Sequence, residues 1–243
     1  MTLTSVPHPD SGLPVGVVLD PVQAKSPARI TLAGRFARLE PLDARTHGSA
    51  LYEATHGPDR EAIWAYIGDG PYADFESFRV ALDAKAQSED PLFFAIIDNA
   101  DGQAKGYSTL MRIDRPNRVI EVGNIVYGSA MQKTPLATEA QYLLMRHAFD
   151  DLGYRRYEWK CNALNAPSRK AADRYGFTYE GLFRQHMIIK GRNRDTAWYS
   201  IVDGEWPRIK AAFEAWLAPD NFTPDGQQKQ SLASLRGSTH QRG

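Results

Sequence analysis

The chain has 243 residues, with 29 basic and 29 acidic side chains and a single cysteine. Apolar residues make up 42% of it and charged residues 24%, which excludes a globally disordered or fibrous chain. The single cysteine excludes an intrachain disulfide scaffold, and a formal net charge of zero argues against non-specific binding to nucleic acid or an acidic membrane surface.

Three further patterns narrow the class of protein. No apolar run approaches the roughly 18 residues that a membrane helix needs. Residues 1–10 lack the basic and apolar regions of a secretory signal. The six histidines are scattered, and none pairs with another at a metal-ligand spacing. We therefore expect a cytoplasmic protein with no membrane, nucleic-acid or metal partner.

Composition divides the chain into three parts. Residues 1–28 are rich in proline and predict an irregular arm that either packs on the surface or stays mobile. Residues 219–243 are rich in Gln, Ser and Gly and predict a poorly ordered polar tail. Residues 29–218 carry periodic apolar patterns and are expected to form one domain, which is long enough to bury a real core.

The first half of that domain predicts a strand, three helices and then an antiparallel meander. Turn signals such as Asp101-Gly102 separate the last three strands by short connections, which favours antiparallel pairing. The predicted elements are, in order, a strand over 30–40, helices over 43–55, 59–67 and 74–87, and strands over 92–97, 105–113 and 119–127.

The second half alternates helices and strands, so that one parallel pairing is expected. The predicted elements are, in order, a helix ending at Gly153, a strand over 157–161, a helix over 165–175, strands over 178–189 and 197–202, and a last helix beginning near Pro207. Together these segments predict an α+β fold with a mixed, mostly antiparallel sheet.

The segment from strand 119–127 into the long helix is the first candidate site. Because the first amides of a helix have no partner within it, a helix start can bind an anion. Two starts fit the sequence: Thr134-Pro135, a cap followed by proline, and Thr138, which opens a capping box. Each of these two starts fits equally well a residue that only caps the helix and binds no anion.

Two further segments carry polar residues in apolar surroundings. Glu121 is a lone carboxylate in an apolar strand, so it is either a base with a raised pKa or a charge facing water on an edge strand. Asn165 precedes a predicted helix and Ser168 follows three residues later. They are either a helix cap and a solvated hydroxyl or part of a site.

These features occur together in an order that resembles the GNAT superfamily of acyl-CoA-dependent N-acetyltransferases. The chain looks most similar to the branch that contains the ribosomal-protein N-terminal acetyltransferases, over roughly residues 28–218. The resemblance is carried by Glu121 in its strand, by Gln132 before the long helix and by the segment from Asn165 to Gly181. It implies one GNAT-like domain with helices on both faces of the sheet.

The resemblance also implies where acetyl-CoA would bind. The cofactor would lie where the strands ending near Tyr127 and Cys161 splay apart. Proline replaces the first glycine of the family's phosphate loop at Pro135, which removes one amide donor. The residues then expected to contact acetyl-CoA are Ile125, Val126, Tyr127, Gln132, Lys133, Thr134, Leu136, Ala137, Thr138, Asn165 and Ser168.

Two catalytic roles follow from the same resemblance. Ser168 stands where the ribosomal branch has the serine that protonates the leaving thiolate, whereas Ala172 stands where many members have a tyrosine acid. Glu121 matches the base position of other branches, because the glutamate of the ribosomal branch is replaced by Met187. Tyr175 is expected to be a packing residue.

The acceptor site is expected in the segments before the meander. Aromatic residues surround the turn at 68–71, and His186 could face them from an opposite strand; the predicted acceptor residues are Trp64, Tyr66, Tyr72, Phe75 and His186.

The predicted activity is acetyl transfer to a primary amine, either a protein N-terminus or a small molecule. The alternatives are a non-catalytic CoA-binding or regulatory module and, more remotely, an α+β enzyme for another phosphorylated ligand. The elements at either end of the domain could form a homodimer interface.

Overall fold

Ten strands form an eight-stranded mixed sheet and a separate two-stranded hairpin in the computed structural model, which describes residues 4–238. The strands are β1 (Val6–Pro7), β2 (Pro14–Val15), β3 (Leu32–Ala33), β4 (Ala37–Pro41), β5 (Leu92–Asp98), β6 (Ala104–Asp114), β7 (Val119–Tyr127), β8 (Arg156–Asn162), β9 (Thr178–Ile189) and β10 (Arg192–Val202). The order in the large sheet is β3-β4-β5-β6-β7-β8-β10-β9, and β7 with β8 is its one parallel pair among the described residues. The predicted α+β fold and the meander are confirmed.

Helices cover both faces of the large sheet, as predicted. The helices are α1 (Ala44–Thr55), α2 (Arg60–Trp64), α3 (Phe75–Gln87), α4 (Pro135–Arg146), α5 (Ala166–Tyr175), α6 (Trp206–Leu217) and α7 (Leu232–Ser238). A π-helical turn, His147–Asp151, extends α4, and 3-10 turns lie at Ser129–Met131 and Pro219–Asn221. Within residues 4–238 no helix combines the length and the apolar character needed to cross a bilayer.

The two faces have separate apolar cores. On the face that we call the α4 face, Ile120 and Val122 of β7 belong to one cluster with Leu143 of α4 and Phe213 of α6. On the opposite face, which we call the α1 face, the second cluster joins β5–β7 to α1, α2 and α3. Its members include Leu51, Trp64, Phe78, Tyr107 and Val126. The helices of the α1 face therefore cover the β5–β7 part of the sheet.

The parallel strands β7 and β8 separate before either of them ends. Their pairing runs only from Val119–Arg156 to Val122–Trp159. Beyond that point β7 continues to Tyr127 and β8 to Asn162 without pairing to each other. The predicted splay is confirmed, and it opens a cleft in the middle of the sheet.

A β-bulge at Asn124 changes the face to which β7 side chains point. Gly123 pairs with Thr109 and Val126 with Tyr107, so β7 has one extra residue there, and Asn124 adopts φ 46. Before the bulge Ile120 and Val122 point to the α4 face, and after it Ile125 and Tyr127 pack against the same cluster. By alternation, Glu121 points to the α1 face.

The prediction of a single strand over 30–40 is wrong, because this segment is the hairpin β3–β4. The buried carboxylate of Glu139 in α4 accepts hydrogen bonds from three amides of its turn, Arg35 N at 2.9 Å, Phe36 N at 2.5 Å and Ala37 N at 2.7 Å. A Cβ at Gly34 would lie only 2.5–2.9 Å from that carboxyl group. The loose alternation in the sequence therefore hid a turn that depends on a distant side chain.

Residues 4–28 and 219–238 are more ordered than their composition suggests. In the predicted arm, residues 4–28, a short hairpin is followed by irregular chain, and Ala24 is buried in the core of the α4 face. The prediction of a poorly ordered tail is wrong for residues 219–238, because α7 buries Leu232 in the same core. Residues 1–3 and 239–243 of these two predicted segments lie outside the described residues.

Candidate functional site

Glu121 lies in a buried ionic cluster on the α1 face, close to the start of the splay. The parallel register places it opposite Glu158. Lys160 Nζ donates to Glu121 Oε2 at 2.8 Å and to Glu158 Oε2 at 2.6 Å, and Arg112 Nε lies 3.1 Å from Glu121 Oε2. Lys160 also lies over the Trp198 ring, with Nζ 3.8 Å from the centroid.

This cluster contradicts the reading of Glu121 as an edge-strand charge, and it corrects the apolar surroundings expected of a base with a raised pKa. The carboxylate is neither in apolar surroundings nor facing water, since β7 is a central strand and the residue is 4% exposed. Burial nevertheless raises the pKa of Glu121 above its ordinary value, and the nearby charges of Lys160 and Arg112 oppose this effect. Both cations contact Oε2, so Oε1 is the oxygen left for another partner.

Ser168 lies over β8 on the α4 face. Asn165 is the N-cap of α5, and its Oδ1 accepts from Ser168 N at 3.1 Å. Trp159 Nε1 donates to Ser168 Oγ at 3.0 Å. Because the indole can only donate, the hydroxyl hydrogen of Ser168 is available to an acceptor, and the neighbouring Cys161 side chain is one such acceptor. Asn165 is thus a helix cap, which is one of the two roles that the sequence allowed, and it also orients Ser168.

Only some of the β7 backbone groups that were expected to contact acetyl-CoA lie on the unpaired edge of the strand. Val126 pairs with Tyr107 of β6, and Gly128 N donates to Lys105 O at 2.9 Å. Since backbone groups alternate along a strand, the amides of Ile125 and Tyr127 point away from β6 and into the splay. The expectation is corrected for Val126, whose amide faces β6.

The start of α4 is settled in favour of Thr134-Pro135. Thr134 is the N-cap, and its hydroxyl accepts from Ala137 N at 3.3 Å, while Thr138 lies inside the first turn. The predicted capping box at Thr138 is therefore wrong. Gln132 Nε2 donates to Tyr127 O at 3.0 Å, which ties this loop to the end of β7.

Three of the five amides expected to bind phosphate are already engaged. Thr134 N donates to Met131 O at 3.3 Å, Ala137 N to the Thr134 hydroxyl at 3.3 Å, and Thr138 N to Thr134 O at 3.2 Å. Within residues 4–238 the amides of Lys133 and Leu136 have no acceptor. Lys133 adopts φ 63, and this turn leads the chain into the helix.

The aromatic residues expected to line the acceptor cleft do not act as one group. Trp64 is fully buried, donates from Nε1 to Thr55 O at 3.0 Å and packs edge-on against Tyr72, so both belong to the packing of the α1 face. Phe75 is exposed at the start of α3 and packs against Tyr52 of α1. Tyr66 differs from them, since its hydroxyl donates to Leu164 O at 3.3 Å beside the end of β8.

His186 lies with the charged residues of the α1 face. Its Nδ1 is 3.0 Å from Thr196 Oγ1, and its ring contacts Phe183 and Trp198. Burial and the nearby cations Arg112, Arg194 and Lys160 lower the pKa of His186, so the imidazole is neutral at pH 7. An open cavity of about 700 Å³ lies beside it on the β9–β10 hairpin; it is lined by Phe183, Arg184, Gln185, His186, Asn193 and Asp195.

The sequence reasoning missed the cations of this site. Lys160 and Arg112 contact Glu121, and Arg194 lies close by on β10. Lys160 alternates with Glu158 along β8, and this pattern of charges in a predicted strand was the available signal.

Cys161 is a buried residue of β8, and burial raises the pKa of its thiol. Tyr175 is likewise buried, packed between Trp159 and Phe213. Among residues 4–238 no group of three or more His, Cys, Asp or Glu side chains could hold a metal ion.

A central sheet split between two parallel strands, with a helix start at the mouth of the split, agrees with the comparison with known families. A family model described as an acetyltransferase (GNAT) domain matches residues 38–178. The chain belongs to the GNAT acetyltransferase family. The resemblance read from the sequence is thereby confirmed.

Similar proteins agree with this assignment. The crystal structure of a GCN5-related N-acetyltransferase from Brucella melitensis is 50% identical, with a TM-score of 0.87, over 89% of this chain and 98% of that one. The protein named "Putative ribosomal N-acetyltransferase YdaF" from Bacillus subtilis (strain 168) is 26% identical over 169 residues, which are 69% of this chain and 90% of that protein. The acetyltransferase MccE, solved with acetyl-CoA and AMP, shares the fold at 22% identity and a TM-score of 0.61, over 70% of this chain and 93% of that one.

Proposed function

We propose that the protein transfers the acetyl group of acetyl-CoA to a primary amine by direct attack of the amine on the thioester. One observation carries this proposal. Glu121 and Ser168 flank the splay of β7 and β8 from opposite faces of the sheet, the carboxylate on the α1 face and the hydroxyl on the α4 face. A proton acceptor and a proton donor on opposite sides suit a reaction in which the amine enters on one side and the thiol leaves on the other.

Glu121 is proposed to take the proton of the amine. The amine must lose a proton when its nitrogen bonds to the acetyl carbon, and a buried carboxylate with a raised pKa can accept it near neutrality. Oε1, which the two cations leave uncontacted, is the oxygen for this role. General base catalysis of this kind contributes roughly 10²–10⁴-fold in rate.

Ser168 is proposed to protonate the sulfur as the carbon–sulfur bond breaks. Its Oγ accepts from Trp159, so its own hydrogen can be given to a developing thiolate. The proton is then replaced from solvent. The Tyr127 amide, which points into the splay, is proposed to donate to the thioester oxygen as negative charge develops there.

Acetyl-CoA is proposed to lie in the splay on the α4 face, and the residues present fit it in part. When bound, it supplies a thioester that is reactive toward amines. The amides of Ile125 and Tyr127 are available for the pantetheine arm, and those of Lys133 and Leu136 for the diphosphate, together with the Lys133 charge. Thr134, Ala137, Thr138 and Asn165 would contribute through shape and side chains. A cytoplasmic location and a homodimer remain predictions.

The proposal is tested by the release of free thiol from acetyl-CoA in the presence of a panel of amines. The panel contains peptides with free N-termini, amino acids, polyamines and aminoglycosides. Acetylation of at least one amine with stoichiometric thiol release is expected. In Glu121→Gln, kcat should fall by about 10²–10⁴-fold while the Kd for CoA is unchanged.

The alternative, a non-catalytic CoA-binding module, gives a different result. It predicts saturable binding of CoA and no thiol release with any amine. A Glu121→Gln variant that retains full activity above neutral pH would remove Glu121 from the mechanism but leave the transfer itself in place.

A further inference from the structure

Arg194 is a half-buried cation at the end of β8 where the splay opens. Thr196 pairs with Asn162, the last residue of β8, and Ala163 N donates to Asp195 O at 2.8 Å, so Arg194 lies directly beside the end of that strand. Its Nε donates to Thr196 Oγ1 at 3.2 Å. Within residues 4–238 no carboxylate forms an ion pair with it, and its two terminal nitrogens have no acceptor.

Glu121, Glu158 and Glu180 on this face pair with other cations, and the adjacent Asp195 accepts from Gln185 N at 2.7 Å and from Asn193 Nδ2 at 3.0 Å. The pairs are Glu121 with Lys160 and Arg112, Glu158 with Lys160 and Arg156, and Glu180 with Arg156. Arg194 is therefore a cation in excess on this face. Burial lowers the pKa of Arg194, the ionised forms of Cys161 and Glu121 raise it, and the charge of Arg112 lowers it.

Contacts across the loops confine the space in front of this cluster. Lys190 Nζ, at the tip of the β9–β10 hairpin, donates to Trp64 O at 2.9 Å. Tyr66, in the segment between α2 and α3, donates to Leu164 O at 3.3 Å. The segment after α2 is thus tied both to the hairpin and to the β8–α5 loop. These two contacts narrow the approach to the cluster from the side of α2, which favours a small acceptor over a peptide chain.

We propose that Arg194 binds a carboxylate of the acceptor, so that the acceptor is a free amino acid rather than a protein N-terminus. This inference rests on the proposed function and selects between its two acceptor classes. The planar guanidinium has two terminal nitrogens that match the two oxygens of a carboxylate. The amine of the same molecule faces Glu121, the carboxylate stays bound, and only the carbon–nitrogen bond forms as the carbon–sulfur bond breaks.

The test measures thiol release with matched acceptors. Free L-amino acids are compared with their α-carboxamides and with short peptides that begin with the same residue. A charge-assisted hydrogen bond to the carboxylate predicts a preference of about 10–100-fold in kcat/KM for at least one free amino acid over its carboxamide. Arg194→Gln should abolish this preference by raising KM for the amino acid by about 10–100-fold more than KM for the carboxamide.

Arg192→Gln is the matched control. Arg192 is exposed, lies two residues away on β10 and should leave the preference intact. Retained activity of Arg194→Gln toward the carboxamide shows that the variant is folded. Equal use of acid and carboxamide by the wild type, better use of peptides, or an equal loss on both acceptors in Arg194→Gln would overturn the inference while acetyl transfer stands. If none of the amines gives thiol release, both this inference and the proposed acetyl transfer are wrong.

Discussion

Lys160 and Glu121 form a buried ion pair across the parallel strands β7 and β8, with Nζ 2.8 Å from Oε2 and side chains that are 5% and 6% exposed. The proposed base is therefore held in place by a cation that also opposes the effect of burial on its pKa. Lys160 is in this sense a positioning residue, because it acts on the reaction through Glu121.

Removing the Lys160 charge should move the pH dependence of the reaction. The pKa of Glu121 is raised by burial and lowered by Lys160, so in Lys160→Met it rises further. Since the base works only when deprotonated, kcat/KM increases with pH through the pKa of Glu121. In the variant, this rising limb of the pH profile should shift to higher pH. The pH profile of the variant is the measurement.

Two controls keep the Lys160 experiment interpretable. Breaking a buried pair costs about 3–5 kcal/mol, so thermal unfolding is recorded first, and Lys160→Arg should restore the wild-type limb. Lys170→Met, at an exposed position on α5, should change neither stability nor the profile. A limb that stays in place in a folded Lys160→Met variant contradicts the role given to Glu121.

Ser168→Ala should slow the step in which the thiol leaves. The variant lacks the hydroxyl hydrogen, and we expect kcat to fall roughly 10²-fold or more, the lower range for a proton-transfer group. The deficit should shrink with acyl donors whose thiols have a lower pKa, because those thiolates leave without a proton. A deficit that does not depend on the leaving thiol would assign Ser168 only to the support of Trp159.

Pro135→Ala should strengthen the binding of CoA. The substitution restores an amide donor at the first position of α4, where Lys133 and Leu136 already offer theirs. One additional hydrogen bond to a charged group contributes about 1.5–3 kcal/mol, so the Kd for CoA should decrease by about 10-fold or more. Calorimetric titration measures this, and an unchanged Kd would mean that the diphosphate does not reach this helix start.

Glu139→Gln should destabilise the fold without affecting the chemistry directly. The Glu139 carboxylate accepts from three backbone amides of the β3–β4 turn. In the variant, the side-chain NH2 group of glutamine would replace one carboxylate oxygen and would face these N–H donors. We expect a loss of about 2–4 kcal/mol in the free energy of unfolding, measured by denaturant titration. Glu53→Gln, at an exposed site on α1, should stay within about 0.5 kcal/mol of the wild type.

Local patterns were sufficient for most of the architecture. The last helix was predicted to begin near Pro207, and α6 buries Ile209, Phe213 and Trp216, which recur at helical spacing in the sequence. Gly176 adopts φ 100 and ends α5, as expected of a glycine just past a helix. These features depend on neighbours within a few residues, which is why the sequence reveals them.

The site depended on contacts that no local pattern contains. The pairing of Lys160 with Glu121 follows from the parallel register of β7 and β8, which joins segments 39 residues apart. The alternation of Glu158 and Lys160 indicates a charged face of β8 but does not identify Glu121 as the partner. The buried position of Trp64 likewise follows from the packing of α1, α2 and α3 together. The amides of Thr134, Ala137 and Thr138 could be counted from the sequence, but their internal partners could not.

The central claim is that the splay of β7 and β8 and the start of α4 bind coenzyme A. Calorimetric titration of the whole chain with CoA tests it most directly. The account predicts a saturable heat with one CoA bound per chain and a rise in melting temperature that grows with CoA concentration. No heat and no change in melting temperature at millimolar CoA would contradict it.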